Sequence, residues 1–174
     1  DGASVRWAYE THAPIWGSPV VADGVVYIGS HDGTLYALDA ASGAPVWQFP
    51  TGGRIESTPA VVDGTVYVGS TDRNVYAIDA ATGREEWRYE TGGLIRGSPA
   101  IDGGALYIGG DCRHLECAFY RETETPTPAG GDAGGHVYAL DRATGDLEWQ
   151  YETGDEVVST PAIGDGTIYL GSSD

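Results

Sequence analysis

The chain alternates between short apolar runs and pairs of turn-forming residues, and no segment repeats its apolar residues with the period of a helix. An Asp-Gly pair between two apolar runs favours a two-residue β-hairpin, because both turn positions take positive φ. The pattern therefore predicts an all-β protein built from hairpins. The pairs are Asp23-Gly24, Asp63-Gly64, Gly103-Gly104 and Asp165-Gly166.

Four tryptophans mark an internal repeat. The intervals between them are 40, 40 and 62 residues, so the third contains an insertion of 22 residues. A segment that begins with Ser-Pro or Thr-Pro recurs four times, as in "SPVVADGVVYIGS" from Ser18 and "TPAVVDGTVYVGS" from Thr58. This agreement predicts four copies of one structural unit. The marker residues are Trp7, Trp47, Trp87 and Trp149.

Each unit is predicted to contain four short strands, A to D. Strand A follows the proline, strand B is "VVYIG" or a relative, strand C is "TLYALD" or a relative, and strand D surrounds the tryptophan, with "RWAY" at the N-terminus as a further strand D. Units of this length with four antiparallel strands are typical of β-propeller blades. We predict one all-β domain of about four blades over residues 1–174, with an inserted loop at about 111–135 in the third blade.

The segment "DAATGREEW", from Asp79 to Trp87, resembles the tryptophan-docking motif of PQQ-like (pyrroloquinoline-quinone-type) β-propeller repeats. That family includes quinoprotein dehydrogenases, the propeller lipoprotein of the outer-membrane β-barrel assembly machinery, and sensor domains of some kinases. The resemblance implies that Trp47, Trp87 and Trp149 dock between neighbouring blades. Strand C occurs three times and the other strands four times. We therefore expect an arc of a larger ring, in this family usually eight-bladed, completed by further chain or by a second copy.

The charge of the chain is strongly negative. Asp and Glu number 26 against nine basic residues, all of them Arg, and the formal net charge is −17. This composition predicts a salt-adapted protein, because strong brine screens self-repulsion. It excludes nucleic acid as a partner, since phosphate binding needs clustered Lys and Arg. No apolar run has the length of a membrane span.

The loops between strand D and the next strand A differ from blade to blade, whereas the turns of the opposite face repeat almost letter for letter. Drift in solvated loops and recognition of a ligand both explain such variation. We predict partner or ligand binding here, with an exposed Trp as an anchor and Arg side chains either binding an acidic group or pairing with neighbouring acids. The predicted binding residues are Trp16, Arg54, Glu56 and Arg96.

The insertion carries both cysteines of the chain. Cys112 and Cys117 lie close together, with His114 between them. A disulfide, a metal site and two free thiols are the alternatives. The spacing matches no common zinc pattern and a fourth ligand is missing. We favour the disulfide, which suits a protein outside the cytoplasm, and predict no metal site.

No motif of enzyme chemistry accompanies the repeat. Neither a P-loop, a dinucleotide fingerprint nor an HExxH motif is present. The favoured hypothesis is a non-catalytic, extracytoplasmic scaffold at the cell surface or envelope that binds protein partners and needs no cofactor. The alternatives are part of a PQQ-dependent dehydrogenase, which would use PQQ and calcium, and the sensor domain of a membrane kinase.

The composition makes a prediction about salt. Because the acidic, lysine-free surface needs screening, we expect the melting temperature to rise steeply from dilute buffer to molar KCl. Thermal unfolding followed by circular dichroism measures it. A melting temperature that does not change with salt would contradict the salt-adapted interpretation.

The insertion makes a second prediction. Cys112 and Cys117 form a disulfide that closes a very short loop, so its reduction leaves the stability of the propeller nearly unchanged. Mass spectrometry of freshly isolated protein, with and without reduction before alkylation, measures the bond. Two alkylated thiols without reduction would refute it, and a metal ion retained through dialysis would favour the metal site instead.

Overall fold

A computed structural model describes residues 2, 4–111 and 134–174, and this part of the chain contains strands and turns but no helix. The strands form three four-stranded antiparallel sheets and one two-stranded sheet, each ordered as in the sequence. We call these sheets blades 1 to 4. Blade 1 contains β1 (Val20–Ala22), β2 (Val25–Gly29), β3 (Thr34–Asp39) and β4 (Pro45–Pro50). Blade 2 contains β5 (Ala60–Val62), β6 (Thr65–Gly69), β7 (Asn74–Asp79) and β8 (Glu85–Glu90). Blade 3 contains β9 (Ala100–Asp102), β10 (Ala105–Asp111), β11 (Gly135–Asp141) and β12 (Leu147–Glu152), and blade 4 contains β13 (Ala162–Gly164) and β14 (Thr167–Tyr169).

This architecture confirms the predicted all-β propeller arc. The A–B hairpins form where the sequence pairs Asp with Gly. In the first, Asp23 has φ 48° and Gly24 has φ 78°, as a two-residue hairpin turn requires. The third hairpin replaces Asp with Gly103, and there only the first turn position has positive φ.

The hydrophobic core lies between neighbouring blades. One cluster joins Tyr27 and Leu35 of blade 1 to Val66 and Ile78 of blade 2. A second cluster joins blade 2 to blade 3 in the same way, through residues such as Leu106. Each sheet is thus covered by the next one, and a single blade has no core of its own.

The tryptophan of strand D reaches across to the following blade. Trp47 donates a hydrogen bond from Nε1 to the backbone oxygen of Ala80 at 2.8 Å, and Tyr27 donates to the same oxygen at 3.3 Å. The indole also lies against Gly83, where an added Cβ would be 2.7 Å from the ring. Gly83 has φ 70°. Glycine is therefore required there both for the turn and for the space the indole occupies.

The same contact occurs in two other places. Trp87 donates to the backbone oxygen of Arg142 and lies against Gly145. Trp7 donates to the backbone oxygen of Ala40 at 3.0 Å, although residues 4–10 around it do not form the predicted strand D.

Trp149 is more exposed than Trp47 and Trp87. It is 40% exposed and contacts Tyr107 of its own blade with ring centroids 5.9 Å apart, as Trp87 contacts Tyr67. Its docking between neighbouring blades stays a prediction.

The turn between strands C and D is closed by an aspartate. The carboxylate of Asp79 accepts hydrogen bonds from the amide and the hydroxyl of Thr82. These bonds lower the pKa of Asp79. Asp39 and Asp141 accept from Ser42 and Thr144 in the same way, so each docking turn is fixed by its own Asp.

An aspartate also fixes the turn between strands B and C. Asp72 accepts hydrogen bonds from the Tyr76 hydroxyl at 2.6 Å and from the Gly52 amide at 2.7 Å. In blade 3 the Gly92 amide donates to the Tyr138 hydroxyl at 3.3 Å. Burial raises the pKa of Tyr138 to about 12.

The insertion prolongs the hairpin of blade 3. The β10–β11 ladder extends to the pair Asp111↔Gly135, whereas the β2–β3 ladder of blade 1 stops at Gly29↔Leu35. Cys112 and Cys117 lie outside the described residues, and their pairing stays a prediction.

The docking contact makes a prediction about stability. Trp87 is 9% exposed and fills the space between blades 2 and 3. We expect Trp87→Ala to lower the free energy of unfolding by about 3–5 kcal/mol, the usual loss for a buried aromatic side chain. Urea unfolding followed by circular dichroism measures it.

Trp16→Ala is the matched control, because that indole is 69% exposed. We expect it to change the free energy of unfolding by no more than about 0.5 kcal/mol. A loss below about 1 kcal/mol for Trp87→Ala would show that the indole does not hold the blades together.

Candidate functional site: the loop face

The D–A loops and the B–C turns meet on one face of the arc, which we call the loop face. In blade 2, the amide of Thr71 in the B–C turn donates to the backbone oxygen of Arg54 in the D–A loop at 2.9 Å. The amide of Ile55 in turn donates to Ser30 in the B–C turn of blade 1 at 3.1 Å. The D–A loop that contains Arg54 and Ile55 is therefore hydrogen-bonded to both blade 1 and blade 2.

A buried aliphatic side chain anchors each loop. Ile55, Ile95 and Val157 are fully buried, and they lie against glycines at the ends of strands β2, β6 and within β10. A Cβ added at Gly29 would come within 2.1 Å of the Ile55 side chain. Because this residue is fixed, the residue after it occupies a defined place on the loop face.

Two of those following residues, Glu56 and Arg96, form an ion cluster with Asp111 and Glu156. Arg96 Nη1 lies 3.2 Å from Asp111 Oδ2 and 3.6 Å from Glu156 Oε2, and Arg96 Nε lies 3.6 Å from Glu56 Oε2. Asp111 is buried, and the side chains of Glu56 and Glu156 are only 12% and 18% exposed. One guanidinium thus faces three carboxylates from three blades.

The cluster continues onto blade 1. His31 Nε2 lies 3.8 Å from Glu56 Oε1, and the imidazole contacts the indole of Trp16 with ring centroids 4.4 Å apart. The Trp16 side chain is 69% exposed. The result is one continuous group of side chains across four blades, which we call the mouth cluster: Trp16, His31, Glu56, Arg96, Asp111 and Glu156.

Three of the four predicted binding residues belong to this cluster. The fourth, Arg54, is exposed, and only its backbone is hydrogen-bonded within the described part of the chain, to Thr71. Sequence reasoning did not select His31, Asp111 or Glu156. A signal existed for the first two, because their position in the B–C turn also changes from blade to blade: His31, Thr71, Asp111 and Ser173. Glu156 lies at the variable D–A loop position that holds Arg54 in an earlier copy of the repeat, as the sequence shows.

The charges of the mouth cluster decide which groups it can bind. Three carboxylates outnumber one guanidinium, so Arg96 is already neutralised and the mouth is acidic. Two buried nitrogens, His31 Nε2 and Arg96 Nε, have no hydrogen-bond partner. In residues 2, 4–111 and 134–174, no group of three or more His, Asp or Glu side chains is arranged to hold a metal ion.

The opposite face has a different character. There Arg142 pairs with Asp63 at 2.6 Å, beside a groove of about 400 Å³ between blades 2 and 3. Asp63 belongs to an A–B turn, where its backbone conformation (φ 50°) explains the choice of residue. In the described part of the chain, no helix is long and apolar enough to cross a membrane.

Comparison with solved structures extends these observations. The crystal structure of BamB from Moraxella catarrhalis matches 97% of this chain and 47% of its own, with 27% identity and a TM-score of 0.71. The quinohemoprotein alcohol dehydrogenase ADHIIG from Pseudomonas putida HK5 matches 91% of this chain and 23% of its own, with 27% identity and a TM-score of 0.65. The computationally designed Ika4 protein shares the fold at 17% identity, with a TM-score of 0.73 over 99% of this chain and 94% of its own.

The chain thus spans about half the length of the Moraxella protein. No curated protein is similar enough in sequence to count as a relative. The model of the PQQ-like family described as outer membrane protein assembly factor BamB matches residues 2–117 and 125–174, nearly the whole chain. The protein therefore belongs to this BamB-like family of PQQ-type β-propeller repeats.

Proposed function

We propose that this chain forms part of a non-catalytic propeller scaffold that binds a protein partner through its loop face. The mouth cluster is the observation that carries the proposal. Four blades, of which three are four-stranded sheets of the same topology, present an indole, an imidazole, carboxylates and a guanidinium in one continuous group. Blade geometry requires none of these side chains, so binding explains their assembly better than folding does.

The exposure and rigidity of the cluster support a protein partner. Trp16 leaves most of its ring in contact with solvent, and Trp is enriched among residues that dominate interface energies. Around it, Glu56 and Arg96 are held in place by loops anchored through buried side chains. A preorganised polar group beside an exposed aromatic ring loses little conformational freedom on binding.

The family supports a location at the cell envelope. Its description names a factor that assembles outer membrane proteins, which fits a protein-binding scaffold outside the cytoplasm. The acidic, lysine-free composition supports a halophilic source as part of the same proposal.

The rival hypothesis, a PQQ-dependent dehydrogenase, is supported by the likeness to the alcohol dehydrogenase from Pseudomonas putida HK5. The mouth cluster does not fit the quinone, however. PQQ is a tricarboxylate and needs free cations, whereas Arg96 is already surrounded by Glu56, Asp111 and Glu156. Charge repulsion at this site favours the scaffold.

The proposal is tested by partner capture. The immobilised chain is incubated with envelope extract of its source organism, and the amount of each specifically retained protein is quantified by mass spectrometry. We expect Trp16→Ala and Arg96→Ala to weaken retention about tenfold or more, since central interface residues contribute about 2 kcal/mol or more. Unchanged circular dichroism spectra show that the variants fold.

Asp63→Asn and Asp165→Asn serve as controls on the opposite face. Asn tolerates the positive φ of these turns, so the fold is kept while a charge is removed. We expect both controls to retain the partner as the unmodified chain does. Loss of binding in the controls, with intact binding in the loop variants, would assign the function to the opposite face.

A further inference from the structure

The carboxylate of Glu56 has an unusual position for an ionised group. Its side chain is only 12% exposed, and within the described residues it accepts no hydrogen bond. The side-chain nitrogens His31 Nε2 at 3.8 Å and Arg96 Nε at 3.6 Å both lie beyond hydrogen-bond distance. A largely buried carboxylate without a direct donor is stabilised when a charged donor binds it.

His31 is unsatisfied on the other side of the same gap. Its side chain is 8% exposed, and the buried Nε2 atom points towards Glu56 without a hydrogen-bond partner. Because Nε2 is closed to solvent, a donor group that approaches from the loop face reaches the Glu56 carboxylate, whose oxygens keep some accessible surface.

Trp16 borders the gap between Glu56 and His31. Its indole contacts His31 with ring centroids 4.4 Å apart and keeps 69% of its surface exposed. A cation that reaches the Glu56 carboxylate from the mouth passes over this ring, where the aromatic face attracts positive charge. The two other carboxylates of the mouth cluster, Asp111 and Glu156, add to the negative potential.

We propose that the mouth cluster binds an arginine side chain of a partner protein, whose guanidinium lies against Trp16 and donates hydrogen bonds to the Glu56 carboxylate. The inference rests on the proposed scaffold function and names the chemistry of its partner. Arginine fits better than lysine because its planar group stacks on an indole and carries several donors in fixed directions. An anionic group is disfavoured, since Arg96 already faces three carboxylates.

The probe is the peptide acetyl-Gly-Arg-Gly-amide, compared with the same peptide containing citrulline, which has nearly the shape of arginine but no charge. The Trp16 indole N–H signal is followed by NMR during titration. We expect a saturable shift with the arginine peptide and about tenfold weaker binding of the citrulline peptide, the effect of losing one charge-assisted hydrogen bond. Equal affinity for both peptides would overturn the inference.

Variants identify the residues involved. Glu56→Gln keeps the shape of the side chain and removes its charge, and we expect it to lower the affinity for the arginine peptide about tenfold. Trp16→Ala should lower this affinity as well, and its titration is followed through the NMR signals of His31. Asp63→Asn removes one negative charge on the opposite face, and unchanged affinity is expected. If Asp63→Asn weakens binding as much as Glu56→Gln, only the overall charge attracts the peptide and the inference fails.

A competition experiment separates this inference from the proposed function. Addition of the arginine peptide should release the captured partner, whereas the citrulline peptide should not. If loop variants lose the partner but the arginine peptide neither binds nor competes, the scaffold function stands and the arginine site is wrong. If the partner binds independently of the loop face, the proposed function fails, and the titration alone decides whether arginine binds there.

Discussion

The contact between the tryptophan of one blade and the glycine of the next C–D turn is the constraint on which the remaining structure depends. Trp47 packs its indole against Gly83 and donates a hydrogen bond from Nε1 to the backbone oxygen of Ala80. Apolar packing and a directed hydrogen bond thus occur at the same contact. A Cβ at Gly83 would overlap the ring. The contact thereby fixes both the distance and the rotation between neighbouring blades, and the apolar faces of the sheets can close on one another.

Because the blades are held together away from the loop face, the residues of the loop face can vary. The blades obtain their cohesion from the docking tryptophans and from the buried clusters between sheets. In the D–A loop before blade 2, Ile55 and Ser57 are buried on either side of Glu56. Glu56 and Arg96 lie on the loop face, and the distance between them follows from the spacing of the blades.

The insertion in blade 3 shows how tolerant the repeat is. Its hairpin extends to Asp111, and the Gly92 amide donates to the Tyr138 hydroxyl, whereas in blade 2 the Gly52 amide donates to Asp72. Extra chain is accommodated at the loop face because the core contacts of β10 and β11 lie further along the strands. Asp111 occupies the same repeat position as His31 and Thr71, and it lies beside Arg96 as His31 lies beside Trp16.

The sequence by itself determined the blades, because their information is local and repeated: Asp23-Gly24 specifies a hairpin, and the "DAATG" segment before Trp87 specifies a turn with its own carboxylate and glycine. It also indicated the loop face through the variation around Glu56 and Arg96. The tertiary structure alone decided which of these side chains meet. His31 and Glu156 are far from Arg96 in the chain, and they join its cluster only because successive blades place their loops side by side. Arg54, two residues from Glu56, stays outside it, since contact across blades depends on where the backbone carries each residue and not on its distance along the sequence.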